Sequence, residues 1–207
     1  MKSKEISTAF NWNCVVLCVT LFVILTMLVM YMPNIRTIDG EILNSIRSWL
    51  SPYPSYIPLF IGKFGMDYGM LWPQIAAASV LVSHKLYTKA TLLVVFTYGT
   101  LGLKELIKNY VCRERPLPDC EVGFSFPSGH ASLSMCFYGI LIYLVHRYVA
   151  NSFLRNILIL IFGLWIFIVC VSRMWLGVHF PIDILAGAIL GFMMVNLYII
   201  ICKVLKK

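Results

Sequence analysis

The chain has 207 residues, of which 60% are hydrophobic and 13% are charged, and it carries a formal net charge of +8. Soluble domains carry about 25% charged residues, so this composition excludes an ordinary soluble protein and indicates an integral membrane protein. Because a spanning helix needs about 20 apolar residues, the chain has room for roughly six spans and no second domain. Residues 1–207 are therefore expected to form a single membrane domain.

Six apolar segments predict an all-α polytopic membrane protein with six transmembrane helices in a bundle. In chain order they cover residues 12–32, 57–82, 88–108, 128–149, 153–172 and 181–203. Each is long enough to cross a bilayer. The second segment is the weakest, because Lys63, Asp67 and Pro73 interrupt it. Its first part could extend outside the hydrocarbon layer.

Two local patterns add detail to this bundle. Residues 36–50, between the first two spans, carry apolar side chains at helical spacing among polar ones. Such a pattern predicts a short interfacial helix lying on the membrane surface. Gly99, Gly102, Gly187 and Gly191 suggest close packing between membrane helices, and the last two form a small-xxx-small pattern in the last span.

The distribution of basic residues predicts the orientation in the membrane. Six spans put both termini on one side, which collects nine Lys and Arg residues and the single acid Glu5: Lys2, Lys4, Lys85, Lys89, Arg147, Arg155, Lys203, Lys206 and Lys207. The opposite side has eight Lys and Arg residues. Three of them belong to the motifs described next and are left out of the count, so nine basic residues on one side are compared with five on the other. The positive-inside rule then places both termini in the cytoplasm. Because the cations lie at segment ends and in loops, the bilayer explains the net charge and no nucleic-acid partner is expected.

Polar residues of the types that take part in catalysis are concentrated in three short motifs at the outer ends of the spans. They are Lys108, Arg115 and Pro116; Pro127, Ser128, Gly129 and His130; and Ser172, Arg173, His179 and Asp183. Three cations, two imidazoles and a carboxylate are residue types that can hold a phosphate and cleave it without a metal. This set predicts a phosphatase.

In residue type, spacing and order, the motifs resemble the three signatures of the type 2 phosphatidic acid phosphatase superfamily. Those signatures are Lys-x6-Arg-Pro, Pro-Ser-Gly-His and Ser-Arg-x5-His-x3-Asp, and no position of this chain departs from them. Eleven specified positions in the right order exclude a chance match. The resemblance implies an integral membrane lipid phosphatase that uses no metal and no cofactor.

Five motif residues are expected to bind the phosphate group. Lys108, Arg115 and Arg173 are cations suited to phosphate oxygens, with arginine able to bind two oxygens at once. Ser128 and Gly129 open the fourth span, where backbone N–H groups of a helix N-terminus form an anion site. The family resemblance implies the same assignments.

Three motif residues are expected to carry out the chemistry. His179 attacks phosphorus as a neutral imidazole and forms a phosphohistidine, which water later hydrolyses. Asp183 orients His179 and stabilises its positive charge, because Pro181 predicts a helix start that puts Asp183 in the first turn. His130 protonates the leaving oxygen and afterwards activates water. The resemblance implies these roles as well.

The segment around Arg115 contains two cysteines, Cys112 and Cys120. If the segment is extracytoplasmic, they are candidates for a disulfide that clamps this loop, with two free thiols as the equal alternative. Four acids of the same region either tune the site or simply face water: Glu105, Glu114, Asp119 and Glu121.

The substrate is expected to be a membrane lipid phosphate or diphosphate, since the motifs recognise only the phosphate. The compact size and outward site resemble bacterial members that convert undecaprenyl diphosphate to undecaprenyl phosphate, which is the first expectation. Phosphatidylglycerophosphate, phosphatidic acid and lipid A phosphate are the alternatives. A non-hydrolytic phosphate-lipid binding or transport protein is the alternative of another class, although it would need no nucleophile beside Asp183.

The expected location is the cell inner (plasma) membrane, with several passes and an extracytoplasmic active site. No sequence feature indicates the oligomeric state.

Overall fold

A computed structural model describes residues 8–65, 67–117 and 121–205. These residues form eight helices and no strand, which confirms the all-α prediction. The helices are α1 (Thr8–Tyr31), α2 (Ile35–Leu50), α3 (Tyr56–Gly65), α4 (Asp67–Ser83), α5 (Tyr87–Val111), α6 (Gly129–Tyr148), α7 (Ser152–Trp175) and α8 (Pro181–Val204).

Five helices of the described part of the chain are long and apolar enough to cross a membrane, judged by length and composition. They are α1, from Asn11 onward, and α5, α6, α7 and α8. Each corresponds within a few residues to one of the predicted spans. Helix α8 begins at Pro181 with Asp183 in its first turn, as predicted.

The second predicted span is not one continuous helix. Residues 57–82 divide into α3 and α4, and Met66 between them lies outside the described residues. Glycines lie on both sides of the break and allow close packing: a Cβ on Gly69 would come within 2.3 Å of the Lys63 carbonyl oxygen. Because glycine also disfavours helix continuation, the chain ends α3 at Gly65 and starts a new helix.

Helix α6 lies at the centre of the bundle and contacts α5, α7 and α8, while α1 packs along α8. The contact between α6 and α8 is close because two glycines of α8 face α6. A Cβ on Gly187 would lie 2.4 Å from the Ser128 carbonyl oxygen, and one on Gly191 would lie 2.4 Å from that of Ser132. The prediction of close helix packing is confirmed at Gly187 and Gly191. It is wrong at Gly102, where an added Cβ would have no atom within 4 Å, and at Gly99 the nearest atom is Met194 Cε at 3.8 Å.

Helix α2 is strongly amphipathic and covers the end of the bundle where the motifs lie. It follows the first span at Ile35–Leu50, within a residue of the predicted range, and contacts α7 and α8. Its buried side chains are Leu43, as expected for an apolar face, and the carboxylate of Asp39, which is 1% exposed. A buried carboxylate needs a partner, and its partner belongs to the site described next.

Candidate active site

The three motifs, which span 76 residue positions from Lys108 to Asp183, converge at one end of the bundle. They surround a cavity of about 300 Å³ lined by residues of α5, α6 and the loops beside them. Five residues predicted to form the site line this cavity: Lys108, Arg115, Gly129, His130 and His179. Ser128, Arg173 and Asp183 lie behind this lining: Arg173 contacts His130, Asp183 contacts His179, and Ser128 directly precedes Gly129 in the chain.

Helix α6 starts at the cavity. Ser128 has an extended backbone, and its side-chain oxygen accepts from the Ala131 N–H at 3.5 Å, so it is the N-cap residue. Its own N–H donates to the Asp183 carbonyl oxygen at 3.0 Å, which ties the start of α6 to the start of α8. In this cap the Ser128 oxygen is an acceptor, which does not occupy the O–H group, so the prediction that Ser128 binds phosphate stays a prediction. Gly129 lines the cavity.

Backbone carbonyls of the loop before α6 hold two cations at the cavity. Lys108 Nζ donates to the Phe124 carbonyl oxygen at 2.7 Å, and Arg115 Nε donates to that of Gly123 at 3.0 Å. Arg115 Nη1 also donates to the Val178 carbonyl oxygen at 2.9 Å. The arginine thus bridges two loops, and both cations are more than nine-tenths buried.

His179 lies in the short connection between α7 and α8, where Gly177 with φ +72° makes a turn that would be strained for a residue with a side chain. Its ring is 1% exposed. Nε2 lies 3.4 Å from Arg115 Nη1, and Nδ1 lies 3.6 Å from Asp183 Oδ2. Burial lowers the pKa of His179, and it outweighs the opposing effect of Asp183. The imidazole is therefore neutral near pH 7.

His130 also lines the cavity, and its ring is next to the guanidinium of Arg173. Arg173 Nη1 lies 3.4 Å from His130 Nε2, while Nη2 donates to the Pro58 carbonyl oxygen of α3 at 2.8 Å. The guanidinium lies against Gly62, where an added Cβ would overlap it. Thus α3 encloses the Arg173 side of the site.

Sequence reasoning missed an ion-pair network behind His179. Arg113 Nη1 donates to Asp183 Oδ1 at 2.6 Å, and Nη2 donates to Asp39 Oδ2 at 2.9 Å. Asp39 Oδ1 also accepts from the Ile182 N–H at 3.1 Å, and the Arg113 guanidinium stacks on the Phe180 ring, 4.2 Å from its centroid. Only Asp39 could have indicated this network from the sequence, because it lies one helical turn before the apolar Leu43 and therefore on the buried face of α2.

The acids of this region divide into two groups. Glu121 accepts from Arg115 Nη1 at 3.1 Å, and Glu105 pairs with Lys104; all four line the cavity. Glu114 pairs instead with the exposed Arg36. Asp119 and Cys120 lie outside the described residues. Cys112 is exposed and donates to the Asn109 carbonyl oxygen, so its predicted disulfide with Cys120 stays a prediction.

Chemically, the cavity presents three cations, a neutral imidazole backed by a carboxylate, and a second imidazole. This combination can bind a phosphoryl group, attack it and handle a proton. Between residues 8 and 205, the described side chains include no group of three or more His, Cys, Asp or Glu that could hold a metal ion.

A sequence profile described as the PAP2 superfamily matches residues 88–206. Phosphatidylglycerophosphatase B of Bacillus subtilis is 32% identical over 126 residues, which cover 58% of this chain and 61% of that protein. Bacitracin transport permease protein BcrC of Bacillus licheniformis is 28% identical over 159 residues, 64% of this chain and 72% of that protein.

The fold is also similar to that of a crystal structure of a transmembrane PAP2-type phosphatidylglycerolphosphate phosphatase from Bacillus subtilis. The TM-score is 0.82 at 23% sequence identity, and the match covers 94% of this chain and 98% of that one. The two chains therefore share a membrane-embedded helical fold over almost their whole lengths.

Proposed function

The chain belongs to the PAP2 superfamily, and from that premise we propose that it is a metal-independent lipid phosphatase, with residues 1–207 acting as one integral membrane domain. The main support for the proposal is the set of side chains that line the cavity. Two buried cations, Lys108 and Arg115, face two imidazoles, His130 and His179, in one space of about 300 Å³. A phosphoryl group placed there meets both its binding groups and its nucleophile.

The anion site is made of fixed donors. Lys108 and Arg115 bind the phosphoryl oxygens, and the N-terminus of α6 at Gly129 adds backbone N–H groups and the positive end of its dipole. Arg173, which lies beside His130, is the third cation proposed to bind the phosphoryl group. Because loop carbonyls already hold Lys108 and Arg115 in place, little reorganisation is needed when the substrate binds.

His179 is the nucleophile in this proposal, and Nε2 is the attacking atom. Nε2 lies beside Arg115 at the anion site, while Nδ1 faces Asp183. Attack forms a bond between Nε2 and phosphorus, and the resulting imidazolium is stabilised by the Asp183 carboxylate. The low pKa of His179 keeps the ring neutral and ready to attack.

His130 serves the leaving group and the water. It lines the cavity together with His179, so a phosphoryl group between the two rings can accept attack from one side and release its oxygen toward the other. His130 protonates that oxygen and then takes a proton from the water that hydrolyses the phosphohistidine.

The substrate is a lipid whose head group reaches the end of the bundle while its tail stays in the bilayer. We propose undecaprenyl diphosphate, cleaved to undecaprenyl phosphate. Phosphatidylglycerophosphate, which the name of the Bacillus subtilis relative indicates for that protein, is the first alternative, followed by phosphatidic acid and lipid A phosphate. The cavity recognises the phosphate, which these lipids share.

In the membrane, we propose that α3 and α4 together make the sixth crossing and that α2 lies at the interface. Both termini are then cytoplasmic, and the cavity opens at the extracytoplasmic face of the inner (plasma) membrane. The support comes from the charge distribution and from the amphipathic α2, which packs over the site end of α7 and α8. Cysteine labelling at the exposed Tyr87 and Val122 positions with an impermeant reagent tests this orientation.

A second candidate is a protein that binds or transports phosphate lipids without hydrolysis, in keeping with the name of the Bacillus licheniformis relative. The deciding experiment measures phosphate release by purified protein in detergent with EDTA from each of the four lipids, with His179→Ala alongside. Release that His179→Ala abolishes supports the phosphatase, and the ranking of lipids selects the substrate. Lipid binding without release by the wild type would favour the second candidate.

A further inference from the structure

Lys104 is a third cation that lines the cavity, beside Lys108 and Arg115, and it belongs to none of the three motifs. It lies four residues before Lys108, so both side chains project from the same face of α5. Lys104 is 5% exposed and lines the cavity with Lys108, Arg115 and both imidazoles. A lysine buried at this point requires an explanation, because an ammonium group removed from water needs a partner.

The partner in the structure is weakly placed for a purely structural role. Lys104 Nζ donates to Glu105, and the Glu105 side chain is 56% exposed while that of Lys104 is 6% exposed. A carboxylate half in water contributes little to holding a buried ammonium. It can instead neutralise the cation until a ligand anion replaces it.

The position of Lys104 is on the leaving-group side of the cavity. Its ammonium lies beside Gly129, where an added Cβ would be 3.2 Å from Nζ, and Gly129 precedes His130 in α6. Arg115 is instead the cation beside His179, with 3.4 Å between Nη1 and Nε2. The cavity thus has one cation near the nucleophile and another near the residue proposed to serve the leaving oxygen.

Lys104 is also closer to the middle of the membrane helix. Four residues of α-helix correspond to about 6 Å along the axis, and Lys108 is nearer the end of α5 at Val111. In a diphosphate lipid, the phosphoryl group attached to the tail lies between the terminal phosphoryl group and the bilayer. A cation one turn deeper than Lys108 is on the tail side, where that inner phosphoryl group would be.

From this placement we propose that Lys104, with Glu105 as its exchangeable counterion, forms a subsite for the second phosphoryl group of a diphosphate substrate. The inference rests on the proposed phosphatase function and assigns its substrate class. Lys108 and Arg115 bind the terminal phosphoryl group, and Lys104 binds the inner one, so the site favours diphosphate lipids over lipid monophosphates.

In the proposed reaction, His179 Nε2 bonds to the terminal phosphorus, and the bond from that phosphorus to the bridging oxygen breaks. The electron pair stays on the bridging oxygen of the departing lipid monophosphate, and this oxygen takes a proton from His130. Lys104 neutralises the negative charge that develops there. Water then bonds to phosphorus, its proton passes to His130, and the phosphorus–nitrogen bond breaks, which returns the electron pair to His179 and releases inorganic phosphate.

The test is a calorimetric titration of the full chain in detergent with methylenediphosphonate, a diphosphate analogue that is not hydrolysed, and with inorganic phosphate. We expect Lys104→Met to weaken methylenediphosphonate binding by roughly 10- to 100-fold, the effect of losing a hydrogen bond between charged groups. Phosphate binding should change less than about 3-fold. Retained phosphate binding also shows that the variant is folded.

Two further variants separate a subsite from a general charge effect. Lys63→Met removes an exposed lysine of α3 outside the cavity and should change neither affinity. Glu105→Gln removes the competing carboxylate and should tighten methylenediphosphonate binding. The proposal is overturned if Lys104→Met weakens both ligands equally or neither, or if Glu105→Gln leaves diphosphonate binding unchanged.

Turnover is not needed for these titrations. If the wild-type protein releases no phosphate from any lipid, the phosphatase proposal is wrong, but the titrations still show whether Lys104 binds a second phosphoryl group. A protein that hydrolyses lipids through His179 but shows no selective effect of Lys104→Met would remove the subsite alone.

Discussion

Arg113 Nη1 donates to Asp183 Oδ1 at 2.6 Å, and the same guanidinium reaches Asp39 Oδ2 at 2.9 Å on its other side. All three side chains are buried. One arginine therefore neutralises two carboxylates and links α2 to the residue that faces His179. Since the other Asp183 oxygen accepts from the Phe180 N–H at 2.9 Å, the carboxylate is fixed in place for its role beside the imidazole.

Arg113 is accordingly predicted to be a positioning residue for Asp183. In Arg113→Ala the two carboxylates lose their shared cation, so we expect kcat to fall on the order of 100-fold, as for a misplaced catalytic group. KM should change little, because Arg113 does not line the cavity. Steady-state kinetics on the preferred lipid measure both constants.

The matched control is Arg36→Ala, which breaks the exposed pair with Glu114. Exposed pairs contribute about 0–1 kcal/mol, so this variant should keep wild-type kcat and thermal stability. Arg113→Ala should unfold at a lower temperature, since leaving a buried charge unpaired costs about 3–5 kcal/mol. Wild-type kcat in Arg113→Ala would contradict the positioning role.

The phosphohistidine should be trappable when His130 is removed. Because a lipid monophosphate is a better leaving group than an alkoxide, loss of the proton that His130 supplies should slow the phosphorylation of His179 without preventing it. Hydrolysis then slows, because no base activates the water. With substrate labelled in its terminal phosphoryl group, we expect His130→Ala to retain label that resists base and is lost in acid.

His179→Ala is the control for this experiment and should retain no label. Equal labelling of the His179→Ala protein would place the phosphoryl group on another residue.

The pH dependence should report the buried state of His179. Because burial lowers the pKa of His179, the ring is neutral and active above that value and protonated and inactive below it. The acid limb of kcat/KM should therefore lie below pH ~6.5, the ordinary histidine value. The profile is measured on the wild type in detergent.

The variant Asp183→Asn identifies which group titrates. The Asp183 carboxylate raises the pKa of His179, so its neutralisation should lower that pKa further and move the acid limb to lower pH, while the rate itself decreases. Ionisation of the substrate cannot move with this substitution. An acid limb that stays in place or moves upward would assign it to another group.

The glycine contacts between α6 and α8 should control the geometry of the site. A Cβ at Gly191 meets the Ser132 carbonyl oxygen at 2.4 Å and the Met135 Cβ at 2.7 Å. Gly191→Ala should therefore separate the helices, lower the thermal unfolding temperature and reduce kcat. Gly163→Ala, in α7 with no atom within 4 Å of the added Cβ, should leave both unchanged.

The sequence by itself was sufficient for the spans whose signal is local. Helices α5 to α8 begin and end within a few residues of the predicted boundaries, because twenty apolar residues bounded by polar ones determine a membrane helix without reference to the rest of the chain. Pro181 determined the start of α8 and hence the place of Asp183 in its first turn. Motif spacing was likewise enough to choose five of the residues that line the cavity, since each motif lies at a span end.

Only the tertiary structure determined which residues outside the motifs contact the motif residues. Arg113 and Asp39 are 74 residues apart in the chain, and no local periodicity can pair two charges from different helices. The same holds for Lys104, which looks like a helix-end cation in sequence and lies against Gly129 of α6 in space. The break between α3 and α4 and the contact of Arg173 with α3 also depend on packing. Hydrophobicity and helix propensity act within one segment, whereas ion pairs and glycine contacts exist only after the segments have assembled.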